Sequence, residues 1–340
     1  MKTLAINGFG RIGRVTARIL LERNRIDRLQ AVNDLADAKT LAYLLKYDTI
    51  YRELQADVRE VAPPGSHFSG GIRINHHVIG VLSEKDPALL PWKALDVGVV
   101  IEATGRFTDY ESASAHLKAG ARQVIISAPS RGVNPAPTSV IGVNAGTNDD
   151  EIINNASCTT NCISPMMAVL EAKFGVEKAL LTTIHAYTQS QLLQDGPSHD
   201  LREGRAASAN LIPAGTGAAI ATTEAIPTLK NKFDGVSIRV PVTIGSLSDV
   251  TLVTRQPVTV EEVNQAFTEA SHSLAYKGIL EVTDEPLVSG DIIGRSASAI
   301  VDLSLTRVVG GNLVKVFGWY DNEWGYANRL VDQAFRFLEV

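Results

Sequence analysis

A strand that runs directly into a G-x-G-x-x-G turn leaves few folds open to a chain. Thr3-Leu4-Ala5-Ile6 reads as a short buried strand. Gly8, Gly10 and Gly13 follow it, and Ile12, Val15, Ile19 and Leu20 then recur at helical spacing. The first glycine of such a turn permits a tight bend, and the second lets backbone N–H groups approach a pyrophosphate. The third lets the helix pack closely on the strand. The helix N-terminus then meets the phosphates with its positive end. Alone, the motif is weak, because an ordinary glycine turn looks the same. Its context is stronger: a second strand, Leu29-Gln30-Ala31-Val32-Asn33, ends at Asp34. That acid stands about twenty residues beyond the glycines, where a carboxylate accepts hydrogen bonds from a ribose. Strand, turn, helix, strand and acid in this order point to a dinucleotide-binding domain.

Further strands are expected at Val97–Ile101, Gln123–Ile126 and Ser139–Val143, with a helical stretch around Ser112 to Leu117. Strands alternating with helices imply a parallel sheet covered on both faces, with ligands at the carboxyl ends of its strands. Thr104-Gly105 and Ser127-Ala128-Pro129 each follow a strand and should border the ligand. The stretch from Tyr51 to Val81 reads as a strand-rich excursion from the main sheet. A chain of 340 residues is long for one core, so a second domain is expected.

The net charge is −5, with both signs mixed along the chain and no basic stripe, which argues against nucleic acid as the main partner. No apolar run is long enough to span a bilayer, and the first residues lack the pattern of a signal peptide. A cytoplasmic protein is expected. Two cysteines are too few for a disulfide framework or a zinc site, so no metal is expected.

Both cysteines fall in one segment, Asn155-Ala156-Ser157-Cys158-Thr159-Thr160-Asn161-Cys162, which leads into a helical pattern carried by Cys162, Met166, Val169 and Leu170. Ser157 is a good N-cap and puts Cys158 in the first helical turn. The helix dipole there lowers a thiol's pKa. Pro165 should kink or break the helix near Ser164. Cys162, one turn further in, reads as a buried small hydrophobe. A nucleophilic thiol also needs a base. Of the seven histidines, most sit among polar residues and read as solvated. His185 differs, lying in Ala179–Thr188, a run rich in β-formers.

The segments 7–14, 155–162, 182–188, 212–219, 238–241 and 319–326 together resemble the phosphorylating glyceraldehyde-3-phosphate dehydrogenases, in the same order along the whole chain. Ala156–Cys162 and Trp319–Tyr326 are the most specific of them. The resemblance implies Cys158 as nucleophile and His185 as the base that activates it. It implies NAD contacts at Gly10, Arg11, Ile12, Asp34 and Ser127, with Asn322 orienting the nicotinamide. Ser157, Thr159, Thr216 and Gly217 match residues around the attacking inorganic phosphate; Thr188 and Arg239 match those holding the phosphate of the aldehyde substrate. Gly196-Pro197 lies in a loop that, in relatives, approaches a neighbouring subunit's cofactor, and a homotetramer is implied.

The resemblance further implies an α/β fold: a doubly wound parallel-sheet NAD-binding domain, 1–157, and an α+β catalytic domain with a mostly antiparallel sheet, 158–321. The helix in 322–340 is expected to pack back on the first domain. Two segments depart from the family pattern, Thr243-Ile244-Gly245-Ser246 and Gly290–Ser298, and neither suggests a catalytic role. The nearest alternative is erythrose-4-phosphate dehydrogenase, whose members tend to lack the threonine present here as Thr188. A dinucleotide-binding regulatory protein without catalysis is the alternative from another class, and Cys158 with His185 argues against it.

Overall fold

A computed structural model describes residues 3–145 and 150–339 of the chain. They divide into two compact units, 3–139 with 150–156 and 327–339, and 140–145 with 157–326.

The first unit is built on an eight-stranded sheet. Its elements are β1 (Thr3–Asn7), α1 (Arg11–Glu22), β2 (Leu29–Asn33), α2 (Ala38–Lys46), β3 (Val58–Val61), β4 (Gly70–Ile74), β5 (His77–Leu82), β6 (Val97–Glu102), α3 (Tyr110–Ala113), α4 (Ala115–Lys118), β7 (Gln123–Ile126) and β8 (Ile152–Asn154). The strand order is β3-β4-β5-β2-β1-β6-β7-β8, parallel from β5 to β8. Central strands β1 and β6 are buried almost throughout, as a sheet covered on both faces requires.

Three expectations need correcting. The stretch from Tyr51 to Val81 is no excursion: β3, β4 and β5 join the same sheet as an antiparallel edge. The strand expected at Ser139–Val143 does not form. Gly142 adopts φ +87°, and the N–H groups of Val143 and Asn144 both donate to the Val140 carbonyl, so the chain turns there. β8 takes the place beside β7 instead. The solvated reading also fails for His116, which is fully buried. Trp92 Nε1 donates to its Nδ1 at 3.0 Å, so the ring proton is on Nε2, which faces Glu102 Oε2 at 3.0 Å. Glu102 also accepts from Asn7 Nδ2 and from the N–H and hydroxyl of Thr104. A buried carboxylate is tolerated when its lone pairs are all engaged in this way.

The second unit contains α5 (Cys158–Phe174), β9 (Val176–Ala186), β10 (Ile212–Gly215), α6 (Ala218–Ala225), β11 (Phe233–Val240), β12 (Ser246–Thr254), α7 (Val260–His272), β13 (Leu280–Thr283), β14 (Ala299–Asp302), β15 (Arg307–Val309) and β16 (Leu313–Tyr320). Its sheet runs β10-β11-β9-β12-β16-β14-β13, with β15 beside β16. Most neighbours are antiparallel, the exceptions being β11–β9 and β13–β14. On β12 the buried residues alternate with partly exposed ones, so one face packs on the core and the other does not.

Helix α5 lies on that inner face and is apolar around most of its circumference, because α6, α7 and the sheet all touch it. It runs unbroken through Pro165, so of the kink or break expected there the break does not occur. Pro165 and its neighbours from Thr159 to Met167 are buried, and packing on all sides holds the helical path despite the missing N–H. Close approach to the sheet depends on Gly318 of β16: a Cβ there would stand 2.4 Å from Met166 Sδ and 3.4 Å from Cys162 Sγ.

The last helix, α8 (Trp324–Leu338), closes the chain, and its residues from Ala327 onward lie in the first unit. Arg23 of α1 donates to Asn328 and Asp332, and Arg25 and Arg28 lie over the Phe335 ring.

Replacing Gly318 by Ala should overpack this contact and lower stability by about 1–3 kcal/mol. Adding Met166→Val should recover part of the loss in urea titrations; a Gly318→Ala chain as stable as wild type would show that α5 does not rest on this contact.

Candidate active site

Residues 155–157 join strand β8 to helix α5. Ala156 sits there at φ +54°, a backbone conformation unusual for a residue with a Cβ and of the kind that clusters at functional sites. Ser157 caps the helix, its hydroxyl accepting from Thr160 N at 3.1 Å, while its carbonyl accepts from Asn161. Cys158 is therefore the first helical residue, as the capping pattern predicts, and its side chain is partly exposed.

The base arrives from the sheet. In the parallel pairing of β9 with β11, His185 stands opposite Arg239, so the imidazole and guanidinium share the inner face. His185 Nε2 lies 3.3 Å from Cys158 Sγ. Its Nδ1 lies 2.6 Å from the Ala186 carbonyl and 2.7 Å from Arg239 Nη1. With its proton on Nδ1, the ring donates to Ala186 and turns a lone pair on Nε2 toward the sulfur. With the proton on Nε2, Nδ1 accepts from Arg239 and the ring donates to a thiolate. The first tautomer is the one a base requires.

Burial pushes the Cys158 thiol up, and so opposes the lowering expected from the helix N-terminus. The Arg239 charge and the hydroxyl and N–H of Thr159 pull it down. Burial, with Arg239, pushes His185 down to about 3. The imidazole is therefore neutral, and able to accept a proton, throughout the neutral range. Cys162 is fully buried, and burial pushes it up to about 12. It is the inert cysteine of the pair, as read from the sequence.

Other expected residues lie nearby or apart. Thr159 is in the first turn of α5, and its hydroxyl is 2.9 Å from that of Tyr320. Thr188 lies just beyond β9, its hydroxyl bonded to Ser190 and Gln191. Thr216 and Gly217 form the turn into α6, outside the hydrogen-bonded cluster of Cys158, His185 and Arg239; the Thr216 hydroxyl accepts from Ala218 N. Asn322 is buried and accepts at Oδ1 from Ser246, whose hydroxyl in turn accepts from Ala186 N. Ser246 belongs to a segment from which no role was expected, yet it ties Asn322 to the strand bearing His185. The other atypical segment forms a small apolar cluster, with Ile292 and Ala297 against Ile300 and Trp319.

In the first unit, a cavity of about 500 Å³ is lined by Asn7, Gly10, Asp34, Lys85, Thr104 and Phe107 among others. Gly8, at φ +92°, leaves no space for a side chain, since a Cβ would meet Thr104 N at 2.6 Å. A Cβ on Gly10 would meet nothing within 4 Å, which leaves the backbone there open to a pyrophosphate. The Asp34 carboxylate is fixed by Phe9 N and Ala36 N at 2.8 and 3.0 Å. These residues fit a dinucleotide. Ile12 lies in the first turn of α1. The Arg11 side chain turns away to pair with Asp48 and lie over Tyr51, so only its backbone at the helix start suits phosphate. Ser127 follows β7 and donates through its N–H to the Glu102 carbonyl at 2.8 Å. Lys85, Phe107 and Asn33 were missed because they come from loops and a strand end with no periodic signal.

The model of the glyceraldehyde 3-phosphate dehydrogenase NAD binding domain matches residues 2–110, and that of the C-terminal domain matches 157–322. The chain is 49% identical over 332 residues to the glyceraldehyde-3-phosphate dehydrogenase of Streptomyces coelicolor, covering 97% of this chain and 96% of that one. It is 47% identical to glyceraldehyde-3-phosphate dehydrogenase 1 of Bacillus cereus, covering 98% of each. A chloroplastic relative from Arabidopsis thaliana, GAPA1, is 46% identical over 97% of this chain and 82% of its own. The chain belongs to the glyceraldehyde-3-phosphate dehydrogenase family. Its first unit thus carries the family's NAD-binding domain.

Removing the Arg239 charge should raise the apparent pKa of Cys158, because that charge favours the thiolate. For Arg239→Leu, the rate of iodoacetamide alkylation against pH should shift to higher pH, with slower reaction at neutrality; an unshifted profile would show that the charge does not act on the sulfur. Gly10→Ala should keep the wild-type melting temperature and lose NAD affinity, whereas Gly8→Ala should lose both, read by calorimetry and titration.

Proposed function

We propose that the chain oxidises D-glyceraldehyde 3-phosphate to 1,3-bisphosphoglycerate with NAD and inorganic phosphate, through covalent intermediates on Cys158. The single observation carrying this reading is the 3.3 Å approach of Cys158 Sγ to His185 Nε2 at the start of a helix. Thiol and base within hydrogen-bond reach are what nucleophilic catalysis requires.

The steps follow from the chemistry of the pair. Cys158 gives its proton to His185 Nε2 as the sulfur attacks the aldehyde carbon, and the imidazolium returns it to the oxygen to complete the hemithioacetal. The developing oxyanion lies near the N-terminus of α5, where the dipole favours negative charge. NAD, when bound, would supply the hydride acceptor. His185 takes the hydroxyl proton as the hydride leaves, so a thioester remains on Cys158. Inorganic phosphate then displaces the sulfur, and the acyl phosphate departs. Arg239 and Thr188 hold the substrate phosphate in this reading, and Ser157, Thr159, Thr216 and Gly217 the attacking one. Among the described residues the buried Arg239 Nε has no hydrogen-bond partner, which suits a guanidinium waiting for an anion. Gly10, Arg11, Ile12, Asp34 and Ser127 hold NAD, and Asn322 orients the nicotinamide.

The working unit in this reading is a homotetramer in the cytoplasm. Among the described residues, no helix is long and apolar enough to cross a membrane. The sheet face opposite α5 exposes Leu180 at 65%, Val236 at 54% and Leu313 at 41%, an apolar area of the kind that other copies cover. Light scattering should give the mass of a tetramer, and Leu180→Asp with Val236→Asp should reduce it; a wild-type monomer would contradict the assembly.

His185→Asn keeps a polar side chain that takes no proton near neutrality. Loss of a general base costs ~10²–10⁴-fold in rate, so kcat should fall by about that much. NAD affinity and melting temperature should remain near wild type. A less stable variant with no specific loss of kcat would make His185 structural.

A further inference from the structure

The hydroxyl of Tyr320 lies between two others, 2.9 Å from Thr159 Oγ1 and 2.8 Å from Thr183 Oγ1. Tyr320 and Thr183 are each 1% exposed, so their hydroxyl hydrogens must end on protein acceptors. Three hydroxyls in a row hold three hydrogens and make two contacts, so one hydrogen leaves the row; Tyr320 in the middle has no third hydrogen-bond partner among the described residues, so it leaves at one end. Thr183 lies within β9 on the buried inner face, with Tyr320 as its hydroxyl partner. Among the described residues Thr183 Oγ1 has no hydrogen-bond partner besides Tyr320, so a hydrogen leaving at that end would be buried without an acceptor. Thr159 stands at the other end, in the first turn of α5 next to Cys158, whose thiol its hydroxyl pulls down. The row therefore runs from Thr183 to Tyr320 to Thr159.

We propose that Tyr320 is a positioning residue: by donating to Thr159 it turns that hydroxyl outward as a fixed hydrogen-bond donor, first to the Cys158 sulfur and then to the attacking phosphate. The phosphate half rests on the function proposed above; the sulfur half needs only the hydroxyl row. Tyr320 also sets its ring edge-on to His185, with centroids 6.0 Å apart, so one side chain braces both the donor and the base. A donor held in place before negative charge forms is worth more than one that must reorient. The groups facing the sulfur are His185 from β9, Arg239 from β11, Tyr320 from β16 and Cys162 one helical turn on.

Tyr320→Phe keeps the ring and removes only the hydroxyl. The pH midpoint of Cys158 alkylation should rise by about half to one unit, as loss of one relayed hydrogen bond implies. The KM for inorganic phosphate should rise about three- to tenfold on the same ground. Thr159→Val should raise the midpoint as well, Thr159→Ser should hold it, and Tyr320→Phe with Thr159→Val should shift it no further than either alone. A Tyr320→Phe midpoint equal to wild type would overturn the proposal. Should that variant fail to fold, equal midpoints in Thr159→Val and Thr159→Ser would overturn it equally. A raised midpoint with an unchanged phosphate KM would uphold the sulfur half and remove Thr159 from the phosphate site, so the two readings fail separately.

Discussion

The contact between Cys158 Sγ and His185 Nε2 exists only because a helix N-terminus and a β-strand meet within hydrogen-bond reach. Much of the second unit serves that meeting. Gly318 lets α5 settle on the sheet, and the Ser157 cap starts the helix at the thiol. The register of β9 with β11 puts Arg239 on the same face as His185, where its charge favours thiolate over thiol and neutral imidazole over imidazolium. The pair is thus a neutral base beside a thiol, ready to transfer a proton when the sulfur attacks.

A second set of hydrogen bonds supports the first from behind. Ser246 joins the Ala186 backbone to Asn322, and Tyr320 joins Thr159 to Thr183. Each bridge ties a residue of the proposed chemistry to a strand rather than a loop, and strands hold side chains to narrower limits. The dinucleotide-binding unit follows the same logic with different parts. Its buried Glu102 draws Asn7, Thr104 and His116 together beneath the glycine turn.

Features with local causes were legible in the sequence. The glycine turn, Asp34 and the Ser157 cap each depend on a few adjacent residues, and strands β2 and β7 stand where their apolar runs predict. Most of what escaped depends on partners distant in the chain. Nothing local distinguishes His116 from the solvated histidines, because its acceptor role is set by Trp92, 24 residues away. Pro165 should break an isolated helix, and tertiary packing overrides that preference. Ser139–Val143 has the composition of a strand, but Gly142 at positive φ turns the chain. Ser246 and Tyr320 were silent because their roles lie in hydrogen bonds spanning 76 and 161 residues.

The central claim is that Cys158 becomes acylated during turnover. The direct measurement is to mix the protein with glyceraldehyde 3-phosphate and NAD without inorganic phosphate, quench in acid, and fragment the peptide holding both cysteines in a mass spectrometer. The account predicts a phosphoglyceroyl group on Cys158, none on Cys162, and its disappearance when phosphate is added before the quench. NADH formed with no acyl group on Cys158, or an acyl group on Cys162, would contradict it.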